Sequence, residues 1–330
     1  MSILTTNYLG LELINPLVVG SSGLTDNFEK IKAIQDAGAG AVVLKSLFEE
    51  EIIFEMEEKM HEMHGRSIVF PENYDFLNAD LEEDSIRKYL RLIRECKADL
   101  EIPIIASINC ISSQKWTYLA EEIEKAGADA LELNIFLLPS DVNLTAEAYR
   151  KTYFDIIDHV REKTRLPLSI KISNYSSELA KFIAELADKD IQGLTLFNKA
   201  YAPDFDIDKL TLTSGHVLSS PGDLSLPLRW TALMANRITK DIAATTGVHD
   251  GNGLIKVLLA GASSAHVVST LYKNGIQYIE EMIEELENWM KRHDFKHIDD
   301  FKGKLAVDEN KDPAEYERVQ FYRNFRAFVY

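Results

Sequence analysis

Eight short apolar runs, each rich in β-branched residues and each ending in small or polar ones, punctuate the chain at fairly even intervals. They are Pro16–Ser22, Ala41–Ser46, Pro103–Asn109, Ala130–Phe136, Leu168–Ser173, Gly193–Asn198, Ile242–Gly247 and Ala265–Thr270. Continuous apolar stretches of this length suit parallel strands covered on both faces. Between them, apolar residues recur at three- and four-residue spacing: Phe28, Ile31, Ile34; Leu119, Ile123; Leu179, Ile183, Leu186; Ile255, Leu258, Leu259; Ile279, Met282, Ile283, Leu286. That spacing predicts helices with one buried face. Strand–helix alternation repeated eight times predicts an α/β fold of the (β/α)8 TIM barrel kind; an open doubly wound sheet usually has fewer strands. Ala-Gly-Ala precedes a strand at Ala37–Ala39, Ala126–Ala128 and Ala260–Ala262, reading as a helix C-cap glycine that feeds the next strand.

Two connections exceed a simple strand-to-helix unit. The first, Leu47 to Ile102, is predicted to hold a charged stretch (Glu49–Asp80) and a helix near Asp84–Lys97. The second, Lys199 to Pro227, is an aromatic, proline-containing insertion. Both insertions follow the C-terminal ends of strands, the second and the sixth, where barrel enzymes build lids and pockets. The barrel is expected over 1–304, with a C-terminal helical tail over 305–330 packed on the barrel or on a partner.

Lys and Arg number 36 against 53 Asp and Glu, a formal charge of −17. A surplus of carboxylates repels phosphodiester backbones, so nucleic acid is not an expected partner. No apolar run approaches the roughly 20 residues a membrane span needs. The opening Met-Ser-Ile-Leu-Thr-Thr-Asn lacks the basic region of a signal peptide, so a cytoplasmic protein is expected. Cys96 and Cys110 show no CxxC spacing and read as two reduced thiols, and no metal site is expected.

Every predicted strand end carries a small or polar residue: Ser21-Ser22-Gly23, Lys45-Ser46, Glu132 with Asn134, Lys171, Asn198, Thr246-Gly247 and Ser269-Thr270. The last pair stands where barrels commonly bind phosphate. Lys45 and Lys171 are embedded in apolar runs, and an interior ammonium is costly without an anionic partner. A phosphate or an anionic reduced flavin would be such a partner.

In order and spacing these segments resemble the class 1 dihydroorotate dehydrogenases, FMN-dependent barrels that oxidise dihydroorotate to orotate in pyrimidine biosynthesis. The resemblance runs from about Tyr8 to Lys304. LGLELINPLVVGSSG resembles the family's opening and implies that Ser21, Ser22 and Gly23 lie against the flavin. VVLKS implies flavin-side roles for Lys45 and Ser46, and ELN implies that Asn134 touches flavin and substrate. SIKIS is similar to the segment that implies Lys171 by the pyrimidine edge of the flavin, and TLFN is similar to one that implies a substrate-binding role for Asn198, which would also meet the cofactor. LSSP followed by PLRW is similar to a degenerate GLSG segment and brings in Ser220. TTG and ST imply that Gly247, Ser269 and Thr270 hold the phosphate. The implied catalytic set is Lys45, Asn134 and Lys171, with Lys45, Asn134 and Asn198 binding a small anionic substrate.

Two departures matter. The family's Cys or Ser base position falls on Leu137, and leucine accepts no proton. The substrate loop after the second strand is represented only by Asn73 and Asn78. Cys110 reads as a buried thiol, Ser140 lies in the loop after the fourth strand, and His216 and His249 read as exposed loop histidines, so no replacement base is identified. The resemblance also implies a homodimer, and electron transfer to an iron–sulfur centre would need a partner subunit. Two other readings stay open: a lyase using Lys171 as a Schiff base on a phosphate-binding barrel, and a flavin-binding homologue whose substrate or catalysis has been lost or changed.

Overall fold

A computed structural model describes residues 3–53, 85–112, 116–137, 140–199, 203–215, 217–309, 312–314, 318 and 321–323. Asn73, Asn78, His216 and most of the charged stretch after the second strand lie outside the described residues.

The chain opens with an antiparallel hairpin, β1 (Thr6–Tyr8) and β2 (Leu11–Leu13). Eight strands then close a parallel barrel: β3 (Leu17–Val19), β4 (Ala41–Val43), β6 (Ile104–Cys110), β7 (Ala130–Ile135), β8 (Leu168–Ile172), β9 (Gly193–Leu196), β12 (Asp241–Thr245) and β13 (Ser264–Val267). Each pairs with the next, and β13 returns to β3. A two-residue strand, β5 (Leu47–Phe48), continues β4 along the upper part of β6. All eight apolar runs are strands, though most end one to three residues before the run does.

Helices follow the strands: α1 (Phe28–Asp36), α2 (Ser85–Asp99), α3 (Tyr118–Ala126), α4 (Ala146–Arg161), α5 (Leu179–Ala187), α6 (Ser225–Met234), α7 (Gly251–Leu259), α8 (Ser269–Asn274) and α9 (Tyr278–Arg292). Their periodic residues, Ile31 and Ile34 on α1 for example, are fully buried against the outer faces of the strands. The Ala-Gly-Ala glycines have φ of +87° (Gly38), +98° (Gly127) and +107° (Gly261). That left-handed conformation is the one a helix-ending C-cap needs and a side chain disfavours. The insertion after the sixth barrel strand is a hairpin, β10 (Pro203–Asp206) with β11 (Thr211–Ser214), then a 3-10 turn over Pro221–Leu224.

Beyond α9 the chain returns to the barrel. The amides of Gly303 and Leu305 donate to Leu258 and Leu259 on α7, and that of Val307 to Ala232 on α6. Residues 313–314, 318 and 321–323 have helical backbone.

The barrel interior is layered. Strand side chains alternate, so Val18, Val43, Ile105, Ala130 and Ala243 point inward near the N-terminal end. The β1–β2 hairpin plugs that end with Tyr8, Leu9 and Leu13, all buried. The Leu9 amide donates to Asp241 Oδ2 at 2.8 Å, which ties the plug to the wall. Polar side chains begin one layer higher.

Candidate active site

The inward positions of the middle strands form a polar tier. Asn109, Asn134 and Lys171 lie side by side in register on β6, β7 and β8, and Thr195 on β9 is opposite Lys171. One layer deeper sit Ser107, Glu132 and Ser169. Glu132 Oε1 lies 3.6 Å from Lys171 Nζ. The Thr195 hydroxyl donates to Glu132 Oε2 at 3.0 Å and shares a hydrogen bond with Ser169 at 3.0 Å. Tyr8 OH meets the Ser169 hydroxyl at 3.2 Å. His266, inward on β13, brings Nδ1 to 3.8 Å from Glu132 Oε2 and packs edge-on against Tyr8. Burial pushes its imidazole pKa down to about 4, Glu132 opposing the shift and Lys171 adding to it.

Five buried polar atoms here have no hydrogen-bond partner: Asn134 Oδ1, Asn198 Nδ2, Glu132 Oε1 and both nitrogens of His266. A buried donor or acceptor left unmade costs about 1–3 kcal/mol. Such a concentration between the plug and the C-terminal mouth of the barrel points to a ligand face above it.

The two lysines part company. The Lys171 side chain is only 11% exposed, whereas Lys45 lies two residues past the end of β4 and is exposed. The expectation of two interior ammoniums is therefore corrected to one. Lys45 lines a cavity of about 480 Å³ with Asn27, Lys88 and Tyr89, between α1 and α2.

Ser21, Ser46 and Ser107 form a hydroxyl chain, with Ser21 to Ser46 at 3.0 Å and Ser46 to Ser107 at 2.8 Å. The chain ends at Tyr89, whose oxygen accepts from the Ser107 amide at 2.7 Å. Ser22 closes its own turn, accepting from the Leu24 amide. At Gly23 a Cβ would come within 2.9 Å of Tyr272 OH.

At the last two strands, the Ser219 amide donates to Ser269 Oγ at 2.9 Å, and Lys273 Nζ donates to the Ser219 carbonyl at 2.7 Å. Ser220 is exposed, with amide and hydroxyl both donating to Asp223. Its buried neighbour Ser219 is the serine that faces this cluster. His249 is buried rather than exposed, and its Nε2 shares a hydrogen bond with Ser219 Oγ at 3.0 Å. Burial, with Lys273 close by, holds its pKa below the usual imidazole value. The Thr270 hydroxyl is fully buried and donates to the His249 carbonyl. Thr246 and Gly247 both have positive φ, +75° and +85°, and strain at a non-glycine in this loop accords with a site there. A Cβ on Gly247 would fall 2.1 Å from the Leu224 amide nitrogen. The first amides of α7 are already taken, Gly251 by Glu285 and Gly253 by Asp250.

Leu137 is half-buried and packs on the core. Cys110 is buried, its thiol pushed well above the ordinary value by burial, and Ser140 is exposed. Asn109, Ser219 and the buried state of His249 are absent from the sequence reading. Asn109 was visible as the last residue of an apolar run, the position that marked the other strand ends. Among the described residues no cluster of acidic, histidine or cysteine side chains could hold a metal ion, and no helix is long and apolar enough to cross a membrane.

A closed parallel barrel with a polar tier at its C-terminal mouth is an enzyme-type scaffold. The family model for dihydroorotate dehydrogenase matches residues 3–290, and the chain belongs to that family. Among its relatives is the dihydroorotate dehydrogenase B (NAD(+)) catalytic subunit of Thermoplasma volcanium, 26% identical over 92% of this chain and 98% of the relative. The protein of the same description from Pyrococcus abyssi is 25% identical over 91% and 98%. The chloroplastic dihydropyrimidine dehydrogenase (NADP(+)) of Arabidopsis thaliana is 20% identical over 89% of this chain and 75% of its own length.

Proposed function

We propose that the chain is an FMN-dependent oxidoreductase of the dihydroorotate dehydrogenase type, acting on a CH–CH bond of a small anionic ring. The observation that carries this reading is the pair of buried, unpartnered amide atoms, Asn134 Oδ1 and Asn198 Nδ2, flanking the half-sunk Lys171. A flat heterocycle with alternating donors and acceptors suits such a set, and an ammonium suits one that gains negative charge. Bound FMN would supply the two-electron acceptor.

Lys171 and Asn134 would hold the ring edge, helped by Asn109, while Ser21, Ser22, Gly23 and Ser46 shape the first two strand ends beside it. Gly247, Ser269 and Thr270 would take the phosphate through their loop amides, with Ser219 rather than Ser220 bracing that end. Lys45, exposed beside the cavity between α1 and α2, would meet the substrate's negative charge, and Asn134 and Asn198 would orient its ring. Leu137 contributes packing and no proton acceptor, so the proton released from the substrate leaves by another route. The lyase alternative, with Lys171 as the Schiff-base amine, would leave the purified protein colourless. A homodimer in the cytoplasm and a separate electron-transfer partner belong to the same reading.

The test is anaerobic addition of dihydroorotate to purified protein while flavin absorbance is followed near ~450 nm. A yellow protein that bleaches supports the reading. A yellow protein that stays oxidised removes dihydroorotate as substrate, and a colourless one that takes up no FMN overturns the proposal.

A further inference from the structure

Glu132 has no role in the function proposed above, yet it is 1% exposed and carries a carboxylate in the middle of the barrel. The groups that face it come from every side. Thr195 on β9 donates to one oxygen at 3.0 Å, Lys171 on β8 stands 3.6 Å from the other, and His266 on β13 lies 3.8 Å away. Tyr8 of the plug reaches it only through Ser169 and Thr195. His266 is neutral near pH 7 and Tyr8 keeps its proton, so Lys171 is the one compensating charge among these groups. Aliphatic side chains would fill the same volume at lower desolvation cost. Glu132 lies one layer beneath Asn134 and Lys171, so its charge acts from below on whatever ring occupies the mouth.

We propose that Glu132 is a positioning residue for the flavin site: it holds the Lys171 ammonium at the strand mouth, and its own negative charge limits how far that ammonium favours the reduced cofactor. The inference rests on the FMN reading. In a water-poor site a unit charge one side-chain length away acts strongly on a group that gains negative charge.

The test is the midpoint potential of bound FMN in the holoenzyme and in E132Q, K171M and the double variant. E132Q keeps the shape and removes the charge, and its flavin should be easier to reduce, by about tenfold or more in the reduction equilibrium. K171M should shift it the opposite way. The double variant holds neither buried charge and reports on Glu132 even where E132Q does not fold; its potential should lie above that of K171M. A yellow wild type whose potential is unmoved or lowered by E132Q, or a double variant no different from K171M, overturns the role of Glu132 and leaves the FMN reading standing. A wild type that binds no FMN overturns both.

Discussion

The lower and upper parts of the barrel interior are made by the same eight strands and meet opposite standards. Near the N-terminal end, Tyr8, Leu9 and Leu13 fill the space between Val18, Val43, Ile105, Ala130 and Ala243. Higher up, the same strands carry Glu132, Asn134, Lys171 and His266. Five of the seven unpartnered buried side-chain atoms found among the described residues lie at that end, counting Asn198 at the tip of the sixth barrel strand. A core selected for stability alone pairs or removes such atoms. On the proposed function, the contrast puts stability below and recognition above, along single strands a few residues long.

Three substitutions would break or sharpen that contrast. Tyr8→Ala empties the plug and should cost the most, about 3–5 kcal/mol, read as a drop in unfolding free energy in urea with or without FMN. If it costs less than about 1 kcal/mol, the lower end is not the stabilising one.

The next effect belongs to His266. Its pKa is about 4 in the fold against 6.5 unperturbed, so the unfolded chain binds a proton there that the folded one refuses. Stability should rise with pH across that window and be lost as pH falls from about 6.5 towards 4, by about 3 kcal/mol. Urea midpoints at the two ends should show H266Q losing less than the wild type.

Asn134→Ala should have the smallest effect on the empty protein. Its side-chain oxygen has no partner to lose, so flavin-free stability should move by less than about 1 kcal/mol. FMN affinity, by fluorescence titration, should nonetheless fall about tenfold, the loss expected of one hydrogen bond in a buried site. Equal losses in both measurements would erase the distinction between the two ends.

The strands and helix caps were legible because they depend on local pattern. An apolar run flanked by Ala-Gly-Ala specifies a strand after a left-handed cap wherever it occurs, and Gly38, Gly127 and Gly261 all conform. The inward direction of Asn134 and Lys171 was legible, because both sit inside strands whose alternation fixes it. It was not legible at Lys45. Ala41–Ser46 reads as one strand, but β4 ends at Val43, and past a strand end alternation no longer dictates where a side chain points. The same limit hid the burial of Ser219 and of His249, both in loops whose shape is set by contacts from distant segments.

The plug also dictates a timetable. Leu9 bonds to a residue 232 positions further along the chain, and Tyr8 to one 161 positions further. The β1–β2 hairpin therefore cannot be fully tied down until the seventh barrel strand has been synthesised. Closing so long a loop is slow and leaves adhesive segments uncovered meanwhile. The plug, which precedes every barrel strand in the sequence, is thus among the last parts of the fold to reach its place.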